Sequence, residues 1–366
     1  MCHAFGFIFC LLPFIFLLFT FIFSIKNCRF DNSKPNFLNA KSISGIFSRF
    51  DWFSPALLLM ILLAKFFPDL GLAQGTFSLK SLSGYGISMI FFLYGLRLSL
   101  SQMWSCVNNW RLHLVVQATT FIVFPLIVLM FRGLFTDTLY YTLWLGVFYL
   151  AVLPSTVSSA VVMVSLAGGN VTGAIFNATF SSIAGILITP LWMGLFLATS
   201  GSGMDMTPVF TRLGYQILLP LFAGVFLHRW FGKYAIEYRN FTRYFDQMVI
   251  LAVVYTSFCV SFNEGLFSGF TIMVIVTLIL VLLVLFILVN VLINLSAKAL
   301  KLPQSDLIAA LFCGSTKSLM HGSVMAGVLF AGMASGGILL LPVLLYHAMQ
   351  LTITGFMAQR FQRRSG

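Results

Sequence analysis

No acidic residue of this chain stands in the middle of an apolar run. The nine are Asp31, Asp51, Asp69, Asp137, Asp205, Glu237, Asp246, Glu264 and Asp306, and each falls in a connecting stretch or near the end of a hydrophobic segment. That removes the carboxylate as a mid-membrane proton carrier or ion ligand. Charge of either sign is scarce: 8% of the 366 residues are charged, where a soluble chain carries about 25%. The mean hydropathy of +1.00 places most of the chain in lipid or inside a membrane bundle. Six cysteines, Cys2, Cys10, Cys28, Cys106, Cys259 and Cys313, show neither CxxC nor other metal-ligand spacing, so no structural disulfide or zinc site is expected.

The net charge of +12 does not make a nucleic-acid face, because the basic residues are not gathered in one patch. They lie mainly between apolar segments, the pattern of cytoplasmic loops. Forty-one phenylalanines suit lipid contact and bulk packing and carry no ligand chemistry.

Apolar runs able to cross about 30 Å of hydrocarbon read at 52–67, 83–99, 110–132, 139–167 and 171–198, and again at 208–229, 244–263, 268–297, 304–331 and 337–359. An offset of 160 carries 52–67 onto 212–227, 83–99 onto 243–259, 110–132 onto 270–292 and Pro190 onto Gln350. Five is odd, so the second set enters the membrane from the opposite side. The expectation is an all-α polytopic membrane protein of ten transmembrane helices, built as two inverted five-helix repeats over 51–200 and 201–366. Residues 1–50 are an N-terminal extension, and 1–25 form one more apolar stretch without a positive flank or clear cleavage site. Whether that stretch is an extra anchor or an upstream extension, the sequence leaves open. With ten spans, the arginines and lysines before residue 52, in 228–243, in 298–303 and in the tail share one face, so the core termini are expected in the cytoplasm.

Within the runs, one signature occurs twice. Ser155-Thr156-Val157-Ser158 follows Pro154, and Ser315-Thr316-Lys317-Ser318 follows Gly314, 160 residues later. Pro154 lacks an amide hydrogen and disfavours helix at Leu153. Polar, helix-breaking segments at matching places in two apolar halves mark the binding site of a secondary transporter. Freed carbonyls and the hydroxyls of Ser155, Thr156, Ser158 and Ser159 suit a cation or a polar substrate; a proline kink with hydroxyls bonded back to the helix is the plainer alternative. Lys317 is a cation near mid-depth, costly there and usually functional. It either replaces a bound cation by its own charge or attracts an anionic substrate. Half-helix N-termini at the break favour the second reading.

His321 falls one turn beyond Lys317 on the same face, beside Ser315, Thr316 and Ser318 of the break. Asn177, followed by Ser181 and Ser182, either reaches the first break from a neighbouring helix or makes an interhelical hydrogen bond, the role expected of Asn290 and Asn294. In the last helix Tyr346-His347-x-x-Gln350 follows Pro342, where His347 and Gln350 support the second break from behind. No cofactor is expected; sodium at the helix breaks is left open.

Phe92-Leu93-Tyr94-Gly95-Leu96-Arg97-Leu98-Ser99, Gly168-Gly169-Asn170, Phe312-Cys313-Gly314-Ser315-Thr316-Lys317-Ser318 and Leu341-Pro342-Val343-Leu344-Leu345-Tyr346-His347 together resemble the bile acid:sodium symporter family. The likeness is to its bacterial branch related to vertebrate solute carrier family 10 member 7, and it spans about residues 50–360. It implies a panel domain and a core domain, with the fourth and ninth helices broken and crossing beside the site, in a bacterial inner membrane. In sodium-coupled members the ninth-helix break carries a glutamate and a glutamine that help bind sodium; here it offers Cys313, Ser315 and Lys317. The fourth-helix Ser-Asn pair of those carriers looks like Ser158-Ser159 or Ser159-Ala160, and Asn177 falls close to a fifth-helix hydroxyl ligand.

The expected function is secondary transport of a small organic anion by alternating access, in a lipid bilayer and without nucleic acid; the sequence is silent on oligomeric state. Alternatives are a sodium- or proton-linked exchanger on the same fold and a non-transporting membrane regulator. An intramembrane enzyme pairing Ser315 or Ser318 with His321 or His347 is a third, for which no GxSxG-type elbow is present.

Overall fold

A computed structural model describes residues 53–365 apart from 74, 76–77, 99–108, 135–137, 200–210 and 332. The expected N-terminal extension, Asp51, Asp137 and Asp205 lie outside the described residues. Every regular element among those described is helical. Apart from the short helical turns Asp69–Leu72 and Arg132–Leu134, they are in chain order α1 (Phe53–Phe66), α2 (Leu79–Arg97), α3 (Trp110–Met130), α4 (Thr138–Val152), α5 (Ser158–Leu166) and α6 (Val171–Thr199). Then come α7 (211–237), α8 (Arg239–Asn263), α9 (Ile272–Ala299), α10 (Gln304–Ser315), α11 (Leu319–Leu329) and α12 (Gly336–Ser365). Six of these carry stretches long and apolar enough to cross a membrane, in α2, α3, α6, α8, α9 and α12. Shorter apolar helices are α1 and Tyr140–Val152 of α4.

Both interruptions read from the sequence are present. α4 stops at Val152, two residues before Pro154, and α5 begins at Ser158. α10 stops at Ser315 and α11 begins at Leu319, with Thr316 (φ −90°, ψ 147°) and Ser318 (φ −81°, ψ 110°) extended between them. The fourth and ninth apolar runs are therefore each two short helices in succession, with open backbone between them.

The helices pack as two groups. α2 runs along α7, and α8 lies across α1 and α2. In the other group α12 packs on α4, and α10 sits against α3, α5, α6 and α9. α8 joins the groups through α11 and α12, and α2 touches α11. The α2–α7 contact is a backbone-to-backbone approach: a Cβ on Gly95 would overlap the Leu221 carbonyl oxygen, and one on Gly224 would overlap that of Phe92. Small residues permit this close approach between membrane helices.

α8 begins five residues ahead of its apolar run and so takes Asp246 into the helix, where a place near the end was expected. The carboxylate is buried and pairs with Arg97 of α2 at 3.2 Å. Gly168-Gly169-Asn170 turns α5 into α6. Gly168 is left-handed (φ +70°), a conformation glycine adopts without steric cost. Asn170 Oδ1 accepts the Gly173 N–H at 2.8 Å, capping α6, and its Nδ2 donates to Asp306 Oδ1 at 2.7 Å. Asn109 donates to the other Asp306 oxygen at 2.6 Å, so one carboxylate ties together the starts of α3, α6 and α10.

Candidate functional site

The two breaks meet. The Ser318 N–H donates to the Pro154 carbonyl at 2.9 Å, and the hydroxyls of Ser155 and Thr316 lie 3.4 Å apart. A helix that ends inside a protein leaves carbonyls in need of donors, and those at the end of α4 are met from α6 and from the second break. Ala151 and Leu153 accept from Lys317 Nζ at 2.6 and 2.9 Å, Val152 from the Thr189 hydroxyl at 2.7 Å, and Pro154 from Ser318.

Lys317 Nζ makes a third hydrogen bond, to the Thr120 carbonyl at 2.9 Å, and lies 4.2 Å from the centre of the Phe124 ring. The side chain is 1% exposed. Local sequence explains why Thr120 is available. In a regular α-helix its carbonyl would accept the Phe124 N–H, but α3 widens into a π turn over Thr119–Val123 and that N–H goes to Thr119. The next residue, Pro125, has no N–H to offer. The Phe121 carbonyl loses its ordinary partner to the same proline and accepts the Trp192 indole instead, at 2.9 Å. Such turns concentrate at functional sites. Three N–H donors facing three acceptors match the ammonium form of the lysine.

Direct attraction of an anion, the preferred sequence reading of Lys317, is not the arrangement found. The ammonium is committed to carbonyls and an aromatic face, which is the geometry of a fixed charge. The cause is helix polarity: Lys317 meets the C-terminal, electronegative end of α4, whereas the sequence argument considered N-termini.

The second break is held from α12. Gln350 accepts the Lys317 N–H with Oε1 at 2.8 Å and donates from Nε2 to the Lys317 carbonyl at 2.9 Å. The Tyr346 hydroxyl donates to the Ser315 carbonyl at 2.7 Å, and His347 is half-buried with Nδ1 3.3 Å from Gln350 Nε2. The hydroxyls of Ser315 and Thr316 donate back to Leu311 and Phe312 at 2.6 and 2.8 Å. Ser318 Oγ accepts the His321 N–H at 3.3 Å and lies 3.0 Å from His321 Nδ1. This is an N-cap of α11, so the serine–imidazole contact closes a helix end. His321 is buried, with its ring edge-on to Tyr94 of α2.

At the first break the Ser155 N–H donates to Ser181 Oγ at 3.0 Å, and Ser159 Oγ donates to Thr156 Oγ1 at 3.3 Å. Ser158 is exposed at the start of α5, whose N-cap position, Val157, supplies no side-chain cap. Asn177 does not reach the break. Its Nδ2 bonds the Gly173 carbonyl at 2.9 Å and its Oδ1 accepts from Gln117 of α3 at 3.2 Å, the interhelical alternative. The residue of α6 that does reach it is Ser181, one turn further on. Thr120, Phe124 and Thr189 escaped the sequence reading; Pro125, in the middle of the third apolar run, was the signal for the first two.

Among the described residues no three His, Cys, Asp or Glu side chains converge on a metal-sized point. The carbonyls of Thr120, Ala151 and Leu153 are engaged by Lys317 Nζ.

Known proteins share this chain nearly end to end. The profile of the SBF-like CPA transporter family matches residues 51–363. An uncharacterised protein of Pseudomonas aeruginosa is 37% identical over 314 residues, covering 86% of this chain and 93% of that one. YfeH of Escherichia coli, a symporter by name, is 34% identical over 328 residues, 87% of this chain and 95% of its own. Sodium/bile acid cotransporter 7-B of Xenopus laevis is 31% identical over 310 residues, 83% and 90% of the two chains. These are the relatives that the four motifs imply. Matched over all but the first part of its length, the chain is an integral membrane protein and belongs to the SBF-like CPA transporter family.

Proposed function

We propose that the protein is a secondary carrier of a small organic anion, working by alternating access at the crossing of α4–α5 with α10–α11. In this reading each broken pair counts as one span, giving ten spans in two inverted repeats, 51–200 and 201–366. The first two spans of each repeat, α1 and α2 with α7 and α8, form the panel; the remaining helices form the core. The contact groups support that division, because the same two spans of each half segregate together. The positions of the basic residues support cytoplasmic core termini in a bacterial inner membrane.

One observation carries the choice of an anion. Lys317 covers the electronegative end of α4, so what the crossing still presents is the N-terminus of α5, uncapped by a side chain, with Ser158 exposed and Ser159 half-buried. An uncovered helix N-terminus with unpaired N–H groups favours negative charge. Relatives named symporter and sodium/bile acid cotransporter support coupled movement of such a substrate. Ser155, Thr156, Ser315, Thr316, Ser318 and His321 shape the crossing, with Gln350 and His347 behind it. Asn177 acts one turn away, through Gln117.

The test is counterflow of a labelled organic anion in proteoliposomes, comparing Ser158→Asp with Ser158→Asn. A carboxylate at a helix N-terminus is favourable by about 0.3–1 kcal/mol, so Ser158→Asp is expected to remain folded. It should lose uptake about tenfold or more, which needs only ~1.4 kcal/mol of repulsion, while Ser158→Asn keeps it. Equal uptake by Ser158→Asp and wild type would remove the anion from the start of α5.

A further inference from the structure

We propose that the space around Lys317 Nζ is a monovalent-cation site whose occupant is covalently attached. The wild-type chain then takes no mobile ion at this point, and removing the side chain creates a binding site for one. The inference concerns the crossing used in the carrier reading and, for what it says about coupling, rests on that reading.

Three backbone oxygens from two elements converge here: Ala151 and Leu153 at the end of α4, and Thr120 at the π turn of α3, all 2.6–2.9 Å from Nζ. The Phe124 ring lies 4.2 Å from Nζ, and a ring face attracts cations. Backbone carbonyls that replace a hydration shell are how proteins hold alkali cations. Unwound backbone and half-helix C-terminal ends are where transporters place them.

These oxygens owe nothing to Lys317 for their availability. The Thr120 carbonyl is released by the π turn and the missing amide of Pro125, and those of Ala151 and Leu153 by the end of α4 at Pro154. The lysine backbone is held independently, by Gln350 at both its N–H and its carbonyl, and the neighbouring Ser318 N–H is fixed to Pro154. Truncating the side chain therefore leaves the same oxygens aimed at the same buried point, now without a donor. Buried carbonyls without a partner are costly, so a small cation that enters gains their full coordination.

The experiment is thermal unfolding of the purified full chain in methylammonium, sodium, potassium or choline chloride at equal ionic strength. Lys317→Ala opens the space and Lys317→Met fills it without charge. Wild type should melt at the same temperature in all four salts. Lys317→Ala should melt lower in choline and rise saturably with methylammonium, and to a smaller extent with sodium or potassium, as linkage requires of a ligand bound only to the folded state. Lys317→Met should be lowered and unresponsive. Recovery of Lys317→Ala only when purified in methylammonium is the same result in stronger form.

Three outcomes would overturn the proposal. One is a folded Lys317→Ala equally stable in every salt. Another is Lys317→Met as stable as wild type, which would mean the carbonyls need no cation. The third is a wild type that gains as much from sodium as Lys317→Ala does, which would place the response elsewhere. Transport is not read, so these outcomes are distinct from failure of the carrier reading.

Discussion

Gln350 spans Lys317 with a single amide, meeting its N–H and its carbonyl at once, from a position that is wholly buried. The backbone there is extended and has no helical partners, so the glutamine replaces two ladder hydrogen bonds. Gln350→Ala leaves both groups orphaned, at about 1–3 kcal/mol each. A loss of about 2–5 kcal/mol is expected, read as a lowered melting temperature in detergent. An unchanged melting temperature would show that Pro154 and Tyr346 hold the break by themselves. The same logic explains Pro125, whose importance lies in an amide hydrogen it does not have.

At the scale of elements, α2 and α7 touch through backbone because Gly95 and Gly224 face each other's chain. No flexible side chain is there to yield, so a methyl group on either must part the helices. Gly95→Ala and Gly224→Ala are each expected to destabilise by about 1–3 kcal/mol. Gly214, with open space where its Cβ would stand, should accept alanine within about 0.5 kcal/mol. Melting temperatures of the three variants, measured side by side, check this; equal values would mean that the crossing relaxes at no cost. Arg97 adds a polar clasp to the same group, holding Asp246 and Thr242 of α8 at 3.2 Å each.

For the whole molecule, alternating access requires the two helix groups to move against each other. Their seam includes a close contact between Ser261 of α8 and Gly337 of α12. Ser261 Oγ accepts the Gly337 N–H at 3.0 Å, and a Cβ on Gly337 would lie 2.9 Å from that oxygen. A Cβ there would also lie 3.1 Å from Phe258 Cα, so a cysteine pair at this contact tests the seam if the backbones give enough to set the Cβ atoms about 3.5–4.5 Å apart. Ser261→Cys with Gly337→Cys should stop anion counterflow on oxidation and regain it with reductant. Full activity of the cross-linked protein would show that this seam stays closed throughout the cycle.

The sequence by itself determined the all-helical membrane class and the places where two helices stop. It also determined the paired Ser-Thr-x-Ser signature and the exceptional status of Lys317. Those properties are local: apolar length, a missing amide at Pro154, and a charge set in an apolar run. Only the tertiary structure decided partners, because a partner across the bundle comes from a distant segment and from whichever helix face packing turns inward. Lys317 meets Ala151 and Thr120, 166 and 197 residues away, and nothing near it in the chain says that it faces a C-terminal helix end. For the same reason Ser181 reaches the first break while Asn177, one turn earlier on the same helix, bonds Gln117 instead. Asp246 reads as a helix-end acid until the arginine opposite it on α2 is in place. Chain-local chemistry thus sets where the backbone opens, and the packing of remote helices sets what fills the opening.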